Sequence, residues 1–194
     1  MTDKLKDRKG NLAPIDGLVP QTGVLRAAWR DWAKREVSQW LSISFVTLNF
    51  KSKVISNAGR LIILDQQAAC SEIVRFGRRI DRAVFRNAVQ RFNKRVRRIP
   101  FLEYGADRGW HCHLTIEKPE GMADERFIRT VEQSWSKSEW GIGLPDIRTA
   151  ESNVVGYLTK YRSKAEMEAW SDTIILEAVV ANTKYPTLPT PRIC

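Results

Sequence analysis

The chain holds two histidines, His111 and His113, and they stand two residues apart. On a strand, residues i and i+2 project from the same face, so both imidazoles leave one surface side by side. Two neutral imidazoles a few ångströms apart are a ready pair of ligands for a divalent metal. Such a pair needs a third protein ligand. A carboxylate with two imidazoles leaves open positions for water and phosphate oxygen, which suits Mg²⁺ or Mn²⁺ rather than a closed structural ion. Two glutamates qualify. Glu103 lies on the preceding strand, across a predicted hairpin from the histidines, and is the preferred ligand; Glu117 shares the histidines' face further along their own strand and is the rival. Cys112, Leu114 and Ile116 point the other way, into apolar packing.

A second group is Tyr157, Lys160 and Tyr161, within Gly156-Tyr157-Leu158-Thr159-Lys160-Tyr161. On a helix these positions are i, i+3 and i+4 and share one face. A phenol is a poor nucleophile at its free pKa of about 10. A neighbouring ammonium favours the phenolate and can also hold a phosphate. Without a metal site nearby, the same pattern reads as aromatic packing with a lysine reaching to solvent.

Three segments in order carry a family likeness: Phe45-Val46-Thr47-Leu48-Asn49, His111-Cys112-His113-Leu114 and Val155-Gly156-Tyr157-Leu158-Thr159-Lys160-Tyr161. They resemble the three motifs of rolling-circle replication initiators, the Rep class of HUH endonucleases, over roughly residues 41–164. The resemblance implies a central antiparallel sheet of about five strands, related to the ferredoxin-like and RRM folds. It implies a metal held by Glu103, His111 and His113, with Tyr157 as nucleophile and Lys160 assisting it. Tyr161, one helical turn on, leaves a two-tyrosine arrangement open. The implied reaction nicks single-stranded DNA or an origin hairpin through a 5′-phosphotyrosine, freeing a 3′-OH for a separate polymerase. The implied setting is the cytoplasm of a prokaryotic host, with a phage, plasmid or mobile-element origin. Two features depart from the pattern. Cys112 is less hydrophobic than the usual middle residue, and the stretch between the first and second motifs is long.

Two other functions use the same features. A single-tyrosine transposase shares the His-x-His pair and helical tyrosine. A non-catalytic nucleic-acid-binding module would use basic helices and the seven tryptophans to bind single strands by charge and stacking.

The elements that must position these groups follow from periodicity. Leu25, Ala28, Trp29, Trp32, Ala33, Val37 and Trp40 have helical spacing, and residues 41–50 read as a strand. Asn57-Ala58-Gly59 marks a turn. Residues 66–98 read as one long helix or two, with Ile73, Phe76, Ile80, Val84, Ala88, Phe92 and Val96 inward. Strands are expected at 101–105 and 110–117, a helix capped by Asp124 with Phe127, Ile128, Val131 and Trp135 inward, and a loop at 141–145 before a short strand at 146–150. A helix is expected over 152–163 and a strand over 172–181. Mixed strands and helices predict an α+β domain over residues 23–182, between a flexible tail at 1–22 and a C-terminal tail at 183–194.

Composition narrows the partners. The 194 residues are 43% hydrophobic and 28% charged, enough for a core, and the net charge is +10. Ten basic residues and one acid between Arg75 and Arg98 carry +9 of it. So segregated a charge predicts a phosphate-contacting surface made by Arg78, Arg79, Arg82, Arg86, Arg91, Lys94, Arg95, Arg97 and Arg98. Three cysteines fit a reducing compartment better than a disulfide framework. No CxxC and no GxxxxGK[ST] occurs, so no zinc ribbon is expected and any unwinding would fall to a separate helicase. No apolar run reaches the roughly 20 residues of a membrane span, and none follows the N-terminus as a secretory signal would require.

Overall fold

The structure, a computed structural model, describes residues 22–150 and 174–182. Helix α1 (Thr22–Val37) precedes strand β1 (Ile43–Phe50) and a small hairpin of β2 (Lys53–Ile55) and β3 (Leu61–Ile63). Helix α2 (Gln66–Phe85) and the short α3 (Ala88–Phe92) lead to β4 (Arg98–Gly105) and β5 (Gly109–Glu117). Helix α4 (Asp124–Ser136), β6 (Gly141–Ala150) and a 3₁₀ turn at Leu176–Ala178 complete the described part. The main sheet is antiparallel with the order β4-β5-β1-β6. The α+β class is as expected, with four strands in the main sheet among the described residues.

Strand alternation gives this sheet two differently packed faces. On the first, Val46, Leu48 and Phe50 of β1, Leu102 of β4 and Cys112, Leu114 and Ile116 of β5 form a core with α2 and α4. Ile73, Phe76 and Ile80 of α2 and Phe127, Val131 and Trp135 of α4 fill it. The edge of Trp135 meets Phe50 and Phe76 at 5.2 and 5.5 Å between ring centroids. Each fully buried side chain of this kind contributes about 1.5–3 kcal/mol. On the second face, Ile43, Ile99 and Phe101 pack with Trp32, Ala33 and Val37 of α1 and with Trp40.

Helix α2 begins at Asp65, whose side chain accepts from Ala68 N at 2.7 Å. A buried ion pair locks it to the sheet. Arg98 donates to both Asp81 oxygens at 2.7 and 2.9 Å, and Asp81 also accepts from Val96 N at 2.9 Å. Gly77 makes room for this, because a Cβ there would lie 2.7 Å from the Arg98 guanidinium. The β4–β5 hairpin turns at Ala106–Arg108 and re-enters the sheet at Gly109, whose φ of +65° suits a residue without Cβ.

Several elements differ from expectation. The basic segment is helical only to Phe85 and again over Ala88–Phe92. Strand β4 starts at Arg98 rather than at Phe101, so Val96 is buried from an extended link, while Phe92 is 71% exposed. Helical spacing carried past the true helix end therefore turned Phe92 the wrong way. Ile128 also faces outward, and Asp124 is the first helical residue, paired with Lys118 rather than capping. The expected loop at 141–145 is the first half of β6. Its pairing with β1 is irregular between Thr47 and Asn49, and Pro145 is tolerated because β6 is an edge strand. Within 174–182 the chain forms a 3₁₀ turn, not a strand, joined to β4 by isolated bridges Phe101–Ile174 and Arg98–Val180. The β2–β3 hairpin was not foreseen beyond its turn. The expected helix at 152–163 and both tails lie outside the described residues, save that α1 begins at Thr22.

Candidate metal centre

The hairpin register places the three predicted ligands together. Glu103 on β4 is paired with His111 on β5, and Phe101 with His113. All three ligands leave the face opposite Leu102 and Cys112. Glu103 Oε2 lies 3.4 Å from His111 Nε2 and 3.7 Å from His113 Nε2. One ligand atom from each residue fits within a 4.8 Å span, as an ion about 2.0–2.4 Å from each atom requires. The imidazoles stand nearly perpendicular, with centroids 5.1 Å apart. Their side chains are mostly shielded, at 5% and 19% exposure, and that of Glu103 at 14%.

Neighbouring groups orient both rings. His111 Nδ1 lies 3.1 Å from the Gly109 carbonyl. A carbonyl only accepts, so in the neutral ring the proton sits on Nδ1 and Nε2 keeps its lone pair for a metal. His113 Nδ1 lies 3.3 Å from Thr47 Oγ1, a hydroxyl that can accept from Nδ1–H in the same tautomer. Phe45 stacks on the His113 ring at 5.3 Å and 16°. Phe45 and Thr47 share a face of β1, and Thr47 is directly opposite His113. Sequence reasoning used both residues only as part of a motif. Their supporting place could be found by aligning the alternation of β1 with that of the His-x-His strand.

Glu117 is not a third ligand in this arrangement. It lies four and six residues beyond the histidines, about 13 and 20 Å along the strand. Its carboxylate is bound by the Arg97 guanidinium and accepts from Leu41 N at 3.0 Å. Cys112, between the histidines, is fully buried on the other face, and burial pushes its thiol pKa well up.

The basic segment divides. Arg78, Arg82, Arg86, Arg91 and Lys94 are exposed. Arg79 pairs with Glu72 at 2.6 Å, Arg95 with Asp81 at 3.6 Å and Arg97 with Glu117. Arg98 is 5% exposed and held by Asp81, so it cannot contact DNA as predicted. Charge counting could not tell these groups apart, because the acids they meet lie 7 to 20 residues away in the chain. Tyr157, Lys160 and Tyr161 lie outside the described residues.

The family model for replication-associated proteins of the ORF2 type matches residues 43–166, from β1 through the Tyr-x-x-Lys segment. The chain belongs to that family. The resemblance to Rep-class initiators, drawn from the three motifs, is thereby supported, and all three motifs lie inside the matched span. No curated protein sequence matches the chain. Among solved structures, it is similar to the N-terminal nuclease domain of minute virus of mice non-structural protein 1. That likeness is at 15% identity, over 70% of this chain and 68% of the other, with a TM-score of 0.32. No helix among the described residues is long and apolar enough to cross a membrane.

Proposed function

We propose that this member of the family nicks and rejoins single-stranded DNA at a specific sequence or structure, and thereby initiates rolling-circle replication. The observation that carries the proposal is the convergence of His111 Nε2 and His113 Nε2 on one Glu103 oxygen. The chain also holds Tyr157 and Lys160 within the same family match.

Glu103, His111 and His113 would hold one divalent cation, Mg²⁺ or Mn²⁺, through a carboxylate oxygen and two imidazole nitrogens. When bound, such a cation polarises the scissile phosphate and offsets charge in the transition state. The chain's own residues do the rest. Gly109 and Thr47 hold the rings in the ligand tautomer, and Phe45 fixes the plane of His113. The Tyr157 phenol, losing its proton, attacks phosphorus in line. The Tyr157 Oη–P bond forms, the P–O3′ bond breaks, and the leaving oxygen takes a proton to become a 3′-OH. Lys160 favours the phenolate and holds the phosphate. The bond energy stays in the 5′-phosphotyrosine, so a later 3′-OH can reverse the step. A polymerase extends the 3′-OH, and a helicase separates the strands.

The test is incubation with a labelled single-stranded origin oligonucleotide and Mn²⁺, followed by a denaturing gel. An SDS-resistant adduct that maps to Tyr157 is the expected result. Binding without any adduct would return the protein to the non-catalytic class.

A further inference from the structure

Helix α2 sorts its charges by sign. Its two acids, Glu72 and Asp81, are buried on the inner side. Each is matched there by arginine: Glu72 by Arg79 at 2.6 Å, Asp81 by Arg98 at 2.7 Å. Arg75 reaches Glu72 at 3.5 Å but its side chain is 62% exposed. The outer side has no acid. Arg75, Arg78 and Arg82 fall within about 60° of one another around the helix, opposite Ile73, Phe76 and Ile80. Arg86 follows at the C-cap, then Arg91 and Lys94, all exposed.

Arg86 adds a second, independent observation. Its backbone sits at φ 48° and ψ −124°. Glycine adopts positive φ freely, while a residue with a Cβ is strained there. The Arg86 side chain makes no ion pair among the described residues. A side chain that folding alone would replace by glycine points to a use outside the fold.

The position of this surface matters. Helix α2 packs on the sheet face formed by Leu48, Leu102 and Cys112, whereas the Glu103–His111–His113 cluster leaves the opposite face. Sheet and helix thicknesses put the outer arginines on the order of 15–20 Å from the cluster. A strand held at the cluster cannot touch α2 at the same point.

We propose that the outer face of α2, with Arg86 and the α3 turn, is a second DNA-contact surface that grips the phosphate backbone of duplex DNA flanking the cleaved strand. Duplex is favoured over single strand by what the helix lacks. The exposed residues of α2 are Gln66, Gln67, Arg75, Arg78, Arg82 and Ala83, with no aromatic on which an unpaired base could stack. Phe92 of α3 is a single exposed ring beyond the end of the row, not a track of them. A straight row of cations along a helix roughly 30 Å long matches a regular line of phosphates. The proposal rests on the DNA reading above for its polymer, but not on any cleavage step.

The test measures affinity of the full chain by fluorescence anisotropy across a salt series, for a 20-base-pair duplex and a 12-nucleotide single strand. In the triple variant Arg78→Ala, Arg82→Ala, Arg86→Ala, the duplex log–log slope should fall by roughly 0.9 for each contact removed. The single-strand slope should fall less. His111→Ala should bind the duplex with the wild-type slope. Arg86→Gly alone should melt at a higher temperature than wild type and bind the duplex more weakly. An unchanged duplex slope in the triple variant overturns the proposal, and so does an equal loss for both DNAs. A protein that forms no adduct yet loses duplex binding in the triple variant would defeat the nuclease reading and leave this one standing.

Discussion

Thr47 on β1 faces His113 on β5 in direct register, with its hydroxyl 3.3 Å from the imidazole Nδ1. Groups that hold the far nitrogen of a ligating histidine commonly matter 10- to 100-fold for metal affinity. Thr47→Val keeps the shape and removes the oxygen. Mn²⁺ affinity measured by calorimetry should fall by about that factor, while Thr47→Ser should retain most of it. Equal affinity in Thr47→Val and wild type would mean that the hydroxyl does not hold the ring.

The two glutamates should separate cleanly. Glu103→Gln should lower Mn²⁺ affinity with little change in melting temperature, since its oxygen is a cluster atom. Glu117→Gln should do the reverse, because it weakens the partner of Arg97, whose guanidinium also lies over the Trp40 ring at 5.9 Å. Calorimetry and thermal melting on the same two proteins check both halves.

Tyr157 and Tyr161 would share a helix face, so a family motif rather than geometry selects between them. Tyr157→Phe should eliminate the covalent DNA adduct with little loss of stability, because one hydroxyl is removed. Tyr161→Phe should keep the adduct at a reduced rate. Peptide mapping decides the matter: DNA on Tyr161 alone reverses the assignment, and DNA on both residues means a two-tyrosine mechanism.

Asp81→Ala leaves the Arg98 guanidinium buried without its carboxylate. Breaking one side of such a pair destabilises by about 3–5 kcal/mol. Urea unfolding should show this loss. The double replacement Asp81→Leu, Arg98→Met should recover part of it, because the uncompensated charge is gone.

Legibility in the sequence tracked how local each signal was. The Glu103–His111 pairing was readable because a short hairpin fixes register within a few residues. The alternation that hides Cys112 and presents both histidines was readable for the same reason. Arg98 was not. Its partner Asp81 is 17 residues away, and only the packing of α2 on β4 brings them together. Phe92 failed because a helical period cannot reveal that the helix stops at Phe85 and restarts. The first half of β6 failed because Gly141, Gly143 and Pro145 look like a loop, and only pairing with β1 makes them a strand.

The pleat also acts as a chemical filter. Cys112 stands between the two histidines in the chain, and a thiolate in the cluster would draw in soft, thiophilic ions. Strand alternation sends that sulphur into the core with Leu114, where burial keeps the thiol protonated and inert. The donors on the cluster side therefore stay two nitrogens and one oxygen. A slip of one residue in β5 would exchange the sets, exposing sulphur and burying both imidazoles. Strand register thus governs which elements of the periodic table this surface can select, and cadmium should gain no sulphur-ligand advantage over manganese at the wild-type cluster.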